Sequence, residues 1–508
     1  MYLTQGLHRA LQRHPDRVAL SHVDGSRVQR RSWVERVNAV ARRAAVLAAH
    51  GVQRGDRVAL LGINSADLVL ALEACWWRGA VACPLNVRWS APEIAAARAD
   101  AGAGLLVHDA ALQPLLAGQG GAAMDFDAFD QAARDAAPLA DARVGGDALA
   151  ALLYTGGTTG RSKGVMLTHA NFWTAAMTRG AELNNPPESV SLLVAPLFHV
   201  AGLGRLIGQT LVGGACVTMP QFRVDAVLAA VEHQGVSDTI VVPSMLQALL
   251  DHPGFDANKV QGLQRIAFGA APMPPDLLER ALAAWPQAEF FQAYGLTETA
   301  GAVCINGPAT HRGPDRLTPR LRAVGRAGLG AEIQIHDEEG AEVPRGTVGE
   351  IVVRGPMVTA GYWQQPAVTA AAFRDGWFRT GDAGRMDEQG WLWVVDRLKD
   401  MIISGGENVY SAEVEAALRA HDAVQDAAVV GRPDARWGEA VHAVIVAQGG
   451  PPADAAALQA ELLAWCRTRL AGYKCPRSMT FVDALPMSAA GKVLKATLRA
   501  QLADGGAR

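Results

Sequence analysis

The sequence predicts a multidomain α/β protein, on three observations. The chain has 508 residues, enough for about three structural units at roughly 100 to 200 residues per domain. Up to about residue 130, helical and strand-like stretches alternate, the pattern of stacked α/β layers. After residue 320 the texture changes to strict two-residue alternation, as expected of a small sheet or barrel. In chain order, MYLTQGLHRALQRHPDRVAL opens with an amphipathic helix, Trp33 to His50 reads as helix, Arg57 to Leu61 as strand and Ser65 to Arg78 as helix. The Ala/Asp-rich stretch from Gln131 to Asp147 reads as a surface connection. Further strands are expected at Asp238 to Val242, Leu263 to Phe268 and Glu289 to Tyr294, with a helix from Pro274 to Trp285 that has proline at its start. AEIQIH (Ala331 to His336), EIVVR (Glu350 to Arg354) and WLWVV (Trp391 to Val395) alternate as a small β-barrel-like subdomain would. From Asp400 onward, helices at Ser411 to Ala420 and Ala455 to Leu470 and strands at Ala423 to Val430 and Val441 to Val446 make a separate α+β domain.

Composition excludes several classes. Half the residues are hydrophobic and 19% are charged, which fits globular packing rather than disorder. A net charge of −3 offers no broad positive field for a phosphate backbone, so nucleic acid is not an expected partner. Cys75, Cys83, Cys216, Cys304, Cys466 and Cys475 show no C-x-x-C pairing, against a disulfide framework or structural zinc and in keeping with a reducing, cytoplasmic setting. The amino terminus lacks the apolar core of a signal peptide. The apolar suspect from Ser189 to Phe222 is broken by Pro196, His199, Arg205 and Gly213-Gly214, so two buried segments are expected there and no transmembrane segment.

The chemistry starts at LLYTGGTTGRSKG, Leu152 to Gly164. Thr155, Gly156, Gly157, Thr158, Thr159 and Gly160 form a loop in which glycines let backbone N–H groups approach phosphate oxygens and threonine hydroxyls add donors. Lys163 supplies a point charge. The bland alternative is a glycine-rich turn. The loop is not a Walker A motif, because G-x-x-x-x-G-K-[ST] is absent and a strand-like run, not a helix, follows Gly164.

Three later segments, Tyr294-Gly295-Leu296-Thr297-Glu298, Trp377-Phe378-Arg379-Thr380-Gly381-Asp382 and Asp396-Arg397-Leu398-Lys399-Asp400 with Ser404-Gly405-Gly406-Glu407-Asn408, stand in a fixed order after this loop. Together they resemble the adenylate-forming superfamily, and within it the acyl-CoA synthetases, including fatty acyl, 4-coumarate and feruloyl ligases. The resemblance runs from about residue 10 to 500.

It implies a two-step ligation: a carboxylate and ATP give an acyl adenylate and pyrophosphate, then the CoA thiol displaces AMP. ATP, Mg²⁺ and coenzyme A are the implied cosubstrates and cofactor, with a small-molecule carboxylic acid as the other partner. Glu298 resembles the Mg²⁺ carboxylate, with Thr297 on phosphate; a helix-capping acid is the plain alternative. Gly269, Ala270 and Ala271, with Gln292, Ala293, Tyr294 and Gly295, correspond to the adenine site, and Asp382 and Arg397 to the ribose site. Lys492, in GKVLK, matches the catalytic lysine, although lysines near a chain end are usually solvated. The resemblance also implies a mobile carboxy-terminal domain, residues 399–508 after an AMP-binding domain at 1–398. Lys399 would be the hinge and Gly405 and Gly406 would line the CoA path. His199, Val200, Ala201, Met245, Phe268, Gly269 and Ala293 map near the acyl pocket, His199 as a positioning group. All but His199 are apolar or small, which favours a hydrophobic fatty or aryl acid. Arg205 would select a dicarboxylate if it pointed inward; a solvated helix position is the favoured reading.

The chain departs from the family pattern at Gly156, Ser162 and Ala490, where Ser, Pro and Ser are common; losing one hydroxyl costs about 1 kcal/mol. Rival readings are an acyl-AMP ligase that loads a carrier protein and a catalytically silent nucleotide-binding regulator. Chain length of the acid and oligomeric state stay open, a homodimer being one compatible assembly.

Overall fold

The computed structural model describes residues 1–155, 162–269, 273–313, 316, 318–404, 407–434, 436–488 and 492–504. It divides into two compact units, Met1–Ile333 with Val353–Phe378, and Gln334–Val352 with Arg379–Arg508. The α/β expectation is borne out.

The first unit holds two sheets. In the six-stranded sheet the order is Ala122–Asp125, Leu105–His108, Arg57–Leu61, Val81–Pro84, Leu149–Thr155 and Lys163–Thr168. The first five are parallel and the last is antiparallel. Runs such as LLVH and VACP are buried along their whole length, as strands covered on both faces require. The nine-stranded sheet has an unbroken parallel run in the order Val18–Asp24, Ala215–Thr218, Val190–Leu193, Asp238–Val241, Arg265–Gly269 and Glu289–Leu296. Antiparallel strands close both edges. Period-two alternation sends Ile266, Phe268 and Phe290 into a core with Leu246, Leu277 and Trp285 on one face. Ala267, Phe291 and Ile305 meet Leu183 on the other.

The second unit carries Leu392–Arg397 paired antiparallel with the far part of Trp377–Met386. Its second sheet has the order Glu407–Val409, Ile402–Ser404, Gly438–Ala447, Val424–Asp434, with Ser478–Phe481 on Gly438–Ala447. Helices Ser411–Arg419 and Ala455–Arg467 contribute Val414, Leu418, Leu462 and Cys466 to the core there.

Two local expectations are corrected. Gln131 to Asp135 is not connection but the end of helix Phe126–Asp135, whose Phe126, Phe129 and Ala133 are buried at helical spacing. Arg205 is not solvated: it is 2% exposed, ion-paired to Asp238 and bonded through Nε to Ser191 Oγ at 2.8 Å. A buried guanidinium is tolerable because a carboxylate partner is buried with it. The segment from Ser189 to Phe222 folds as strand, helix and strand, and no helix among the described residues is long and apolar enough to cross a membrane. All six cysteines are free and buried.

Candidate active site

Several candidate residues of the first unit, His199, Met245, Gly269 and Tyr294 among them, lie at or after the carboxyl-terminal parts of parallel strands of the nine-stranded sheet. Carboxyl ends of parallel strands are where open α/β sheets place ligands, since the loops diverge there. After Val190–Leu193 the chain turns into Pro196–His199, and His199 caps helix Val200–Val212, its Nδ1 accepting from Ala201 N at 3.2 Å. Buried Asn64 braces this turn: its Nδ2 donates to Leu193 O (3.0 Å) and Ala195 O (2.9 Å), and its Oδ1 accepts from Leu197 N (2.9 Å). After Asp238–Val241 comes helix Pro243–Leu250 with Met245. Phe268 and Gly269 end the next strand and lie beside Gln292 and Ala293. The neighbouring strand continues through Tyr294, Gly295 and Leu296 into the turn Thr297–Thr299.

That turn is tightly specified. Gly295 has no room for a side chain, because an added Cβ would lie 2.7 Å from the Gly301 carbonyl carbon. Thr299 Oγ1 accepts from Leu296 N at 2.9 Å, and Ala300 takes a left-handed φ of 52° to fold the chain back. Glu298 is thereby presented at a strand end with its main-chain oxygen accepting from Thr359 N at 2.7 Å.

The segment from Thr359 to Trp363 ties this turn to the strand Lys163–Thr168. Thr359 Oγ1 donates to Met166 O at 2.6 Å, Met166 N to Gly361 O at 2.9 Å and Trp363 N to Gly164 O at 2.8 Å. These bonds lay the segment along strand Lys163–Thr168. Tyr362 then stands between the two motifs: its hydroxyl donates to Glu298 Oε1 at 3.0 Å, and Lys163 Nζ sits 5.4 Å from its ring centroid. Burial, with the Glu298 carboxylate beside it, holds the Tyr362 phenol well above its ordinary value, so it stays a donor. Thr155 pairs directly with Lys163 across the hairpin, so strand pairing sets both ends of the loop. Gly156, Gly157, Thr158, Thr159 and Gly160 lie outside the described residues, as do Ala270, Ala271, Gly405 and Gly406 and the departures Gly156 and Ala490.

Not every acyl candidate faces the same way. Phe268 is 1% exposed within the core that also takes Met245, and its ring stands edge-on to His311 at 5.5 Å. Gly269 and Ala293 point to the opposite face by alternation, the face on which Ala267 and Phe291 meet Leu183.

In the second unit, buried Asp382 pairs with Arg397 Nε at 2.7 Å across adjacent strands. Thr380 Oγ1 accepts from Asp382 N at 3.0 Å and donates to Ile351 O at 2.7 Å, which fixes the bend before the carboxylate. Lys399 is exposed on the turn Leu398–Asp400. The flanking carboxylates are anchored: Asp396 Oδ2 accepts from Ser411 Oγ at 2.6 Å, and Asp400 meets Arg499 Nη2 at 2.9 Å. Lys492 is exposed, its N–H donating to Ser488 Oγ at 3.0 Å and its carbonyl accepting from Ser488 N at 2.7 Å.

Mg²⁺ ordinarily takes one or two carboxylates plus substrate phosphates. Glu298 fits that need: Oε1 is engaged by Tyr362, and no other hydrogen bond to the carboxylate occurs among the described residues. No cluster of three His, Cys, Asp or Glu among those residues would hold a metal without phosphate.

Residues 7–363 match the family model of AMP-binding enzymes, and residues 413–492 that of the AMP-binding enzyme C-terminal domain. The chain belongs to this family. It is 42% identical to feruloyl-CoA synthase of Amycolatopsis sp over 92% of this chain and 93% of that protein. It is 35% identical to long-chain-fatty-acid–CoA ligase FadD13 of Mycobacterium tuberculosis, over 92% of each. Its fold matches o-succinylbenzoate CoA synthetase (MenE) of Bacillus subtilis in complex with the acyl-adenylate intermediate OSB-AMP, at TM-score 0.86 and 33% identity over 97% of both chains. MenE with ATP and magnesium ion matches at 0.83 and 32%, over 98% of this chain and 99% of that one. The resemblance to the adenylate-forming acyl-CoA synthetases is thus borne out. Tyr362, which links two motifs of the site, escaped the sequence reading: the Gly361-Tyr362-Trp363 aromatic pair was its one signal, and nothing local tied it to Glu298.

Proposed function

We propose that this chain activates a hydrophobic fatty or aryl acid, with the roles below for its residues. It is an ATP-dependent, AMP-forming acid–CoA ligase. The observation that supports the residue roles best is the Lys163–Tyr362–Glu298 arrangement, which sets a cation and a carboxylate beside strand ends lined by small and apolar residues. The reaction uses ATP, Mg²⁺ and CoA. An acid oxygen attacks the α-phosphorus and pyrophosphate leaves; the CoA sulfur then attacks the carbonyl carbon and AMP leaves with the bonding electrons.

Lys163 and the loop before it hold the β- and γ-phosphates, and Thr297 donates to phosphate. Mg²⁺ at Glu298 would neutralise phosphate charge, and Tyr362 holds that carboxylate in one orientation. Tyr294 covers one adenine face. Asp382 accepts from the ribose hydroxyls, and Arg397 keeps that carboxylate aimed. Lys492 bridges the attacking carboxylate and the α-phosphate, where charge concentrates. Because one site cannot seat that ammonium and the thiol at the same carbonyl, residues 399–508 rotate about Lys399 between half-reactions, bringing Gly405 and Gly406 to the pantetheine arm. His199 positions the acid and moves aside for the thiol. We place the enzyme in the cytoplasm, where six unpaired thiols stay reduced. Light scattering reads the assembly, a mass near twice 53.5 kDa supporting the homodimer.

A panel of carboxylic acids assayed for ATP- and CoA-dependent AMP release tests the reading. Apolar aryl or alkyl acids should give AMP and thioester. AMP release only with a carrier protein as acceptor, or nucleotide binding without carboxylate-dependent pyrophosphate exchange, would replace it with one of the two rivals.

A further inference from the structure

Helix His169–Leu183 packs against the helix that His199 starts, and Arg179 lies across the junction. Its Nη2 donates to Gly204 O at 2.8 Å. The neighbouring helix is cut away to receive it: an added Cβ at Gly208 would collide with the guanidinium, and one at Gly204 would stand 4.0 Å from Nη1 and 3.6 Å from Ala300 O. Ala201, Gly204 and Gly208 share one helical face by their three- and four-residue spacing. That face therefore runs from the acyl candidate Ala201 to Arg179 and passes the chain just after Glu298.

Charge is unbalanced there. Arg179 forms no ion pair among the described residues. The acid whose field reaches it, Asp238, is already paired with Arg205, whose own Nη1 has no partner. Burial, then the Arg205 charge, drags the Arg179 pKa down to about 9, yet its side chain keeps an accessible surface. A largely enclosed guanidinium with no carboxylate of its own among the described residues is costly unless something polar meets it.

We propose that Arg179 forms the far end of the acyl pocket and selects an acid with an apolar body and an oxygen acceptor at its distal end. This rests on the acyl-site reading above, in which the reacting carboxylate lies near His199. From His199 to Gly204 is five helical residues, roughly 7–8 Å along the axis, a span suited to a para-substituted aromatic ring. The acceptor is either neutral, as in a phenol or ether, or anionic, as in a second carboxylate. The guanidinium donates to both, so the substrate series must separate them.

Three acids of matched length, bearing a distal hydrogen, methoxy or carboxylate group, are assayed for kcat/KM of AMP release with wild type, Arg179→Met and Arg179→Lys. Wild type should prefer an oxygenated acid over the unsubstituted one by roughly 10- to 100-fold, the range of a hydrogen bond to a charged group. Arg179→Met should erase that ratio and Arg179→Lys restore part of it. Whichever oxygenated acid wins identifies the acceptor. Equal kcat/KM for the three acids with wild type, which needs no variant to fold, would overturn the proposal, as would a preference that survives Arg179→Met in a protein of unchanged Tm. No AMP release from any acid would instead bring down the ligase reading beneath it.

Discussion

The turn that carries Glu298 and the described residues around Lys492 are held in opposite ways. The first is locked between strands: Gly295 admits no side chain, Thr299 bonds back to Leu296, Thr359 holds the main chain, and Tyr362 holds the carboxylate. The second carries an exposed lysine whose main chain makes two hydrogen bonds to Ser488, beside one bridge between Met487 and Val493. A group that must keep one position throughout a reaction is better placed on over-determined backbone. A group needed in one half-reaction and obstructive in the other is better placed on an exposed turn.

Four measurements bear on that contrast. Lys492→Ala should cut acid adenylation by at least 100-fold, about 3 kcal/mol, while supplied acyl adenylate is still converted to thioester and Tm is unchanged. Equal loss in both half-reactions would place the lysine with the fixed groups. Asp382→Asn breaks a pair whose arginine is 38% exposed. The screened loss should be about 1–2 kcal/mol of stability, with a KM for ATP raised several-fold, read by thermal unfolding and initial rates.

A pH titration compares the two units directly. Burial holds His169 and His311 in the first unit, and His442 in the second, to about 4 from an ordinary 6.5. Between pH 6.5 and 4 the unfolded chain takes up protons that the folded chain refuses, so stability falls as pH drops through that window. The slope is at most about 1.4 kcal/mol per pH unit for each histidine. The first unit, with two of the three, should open first in amide exchange between pH 6.5 and 4.5, corrected for intrinsic rates. The smallest effect is expected from Tyr362→Phe, which removes one hydrogen bond to Glu298. Adenylation should slow about 5- to 10-fold, roughly 1 kcal/mol, with a higher Mg²⁺ requirement and thiolation unaffected.

Much of the fold is legible in the sequence because its strongest elements are periodic. Arg57 to Leu61 and Trp33 to His50 appear within a residue of expectation. So does the strand from Lys163 that separates the phosphate loop from a Walker motif. Contiguous motifs carry their own spacing, which is why Glu298 and Asp382 could be singled out. Legibility fails where the deciding partner is distant. Arg205 looks like a solvated residue until Asp238, 33 positions away, is folded against it. Tyr362 acquires meaning only through Glu298, 64 positions earlier.

The six cysteines have a chemical consequence. Each thiol is buried, and burial pushes its pKa up, to about 12 for Cys83 and Cys216 and about 11 for Cys466. A catalyst that generates a reactive mixed anhydride and then offers it to sulfur risks self-acylation. Here every cysteine thiol is held protonated and shielded, so the incoming pantetheine meets no competing thiol from the polypeptide for the activated acyl group.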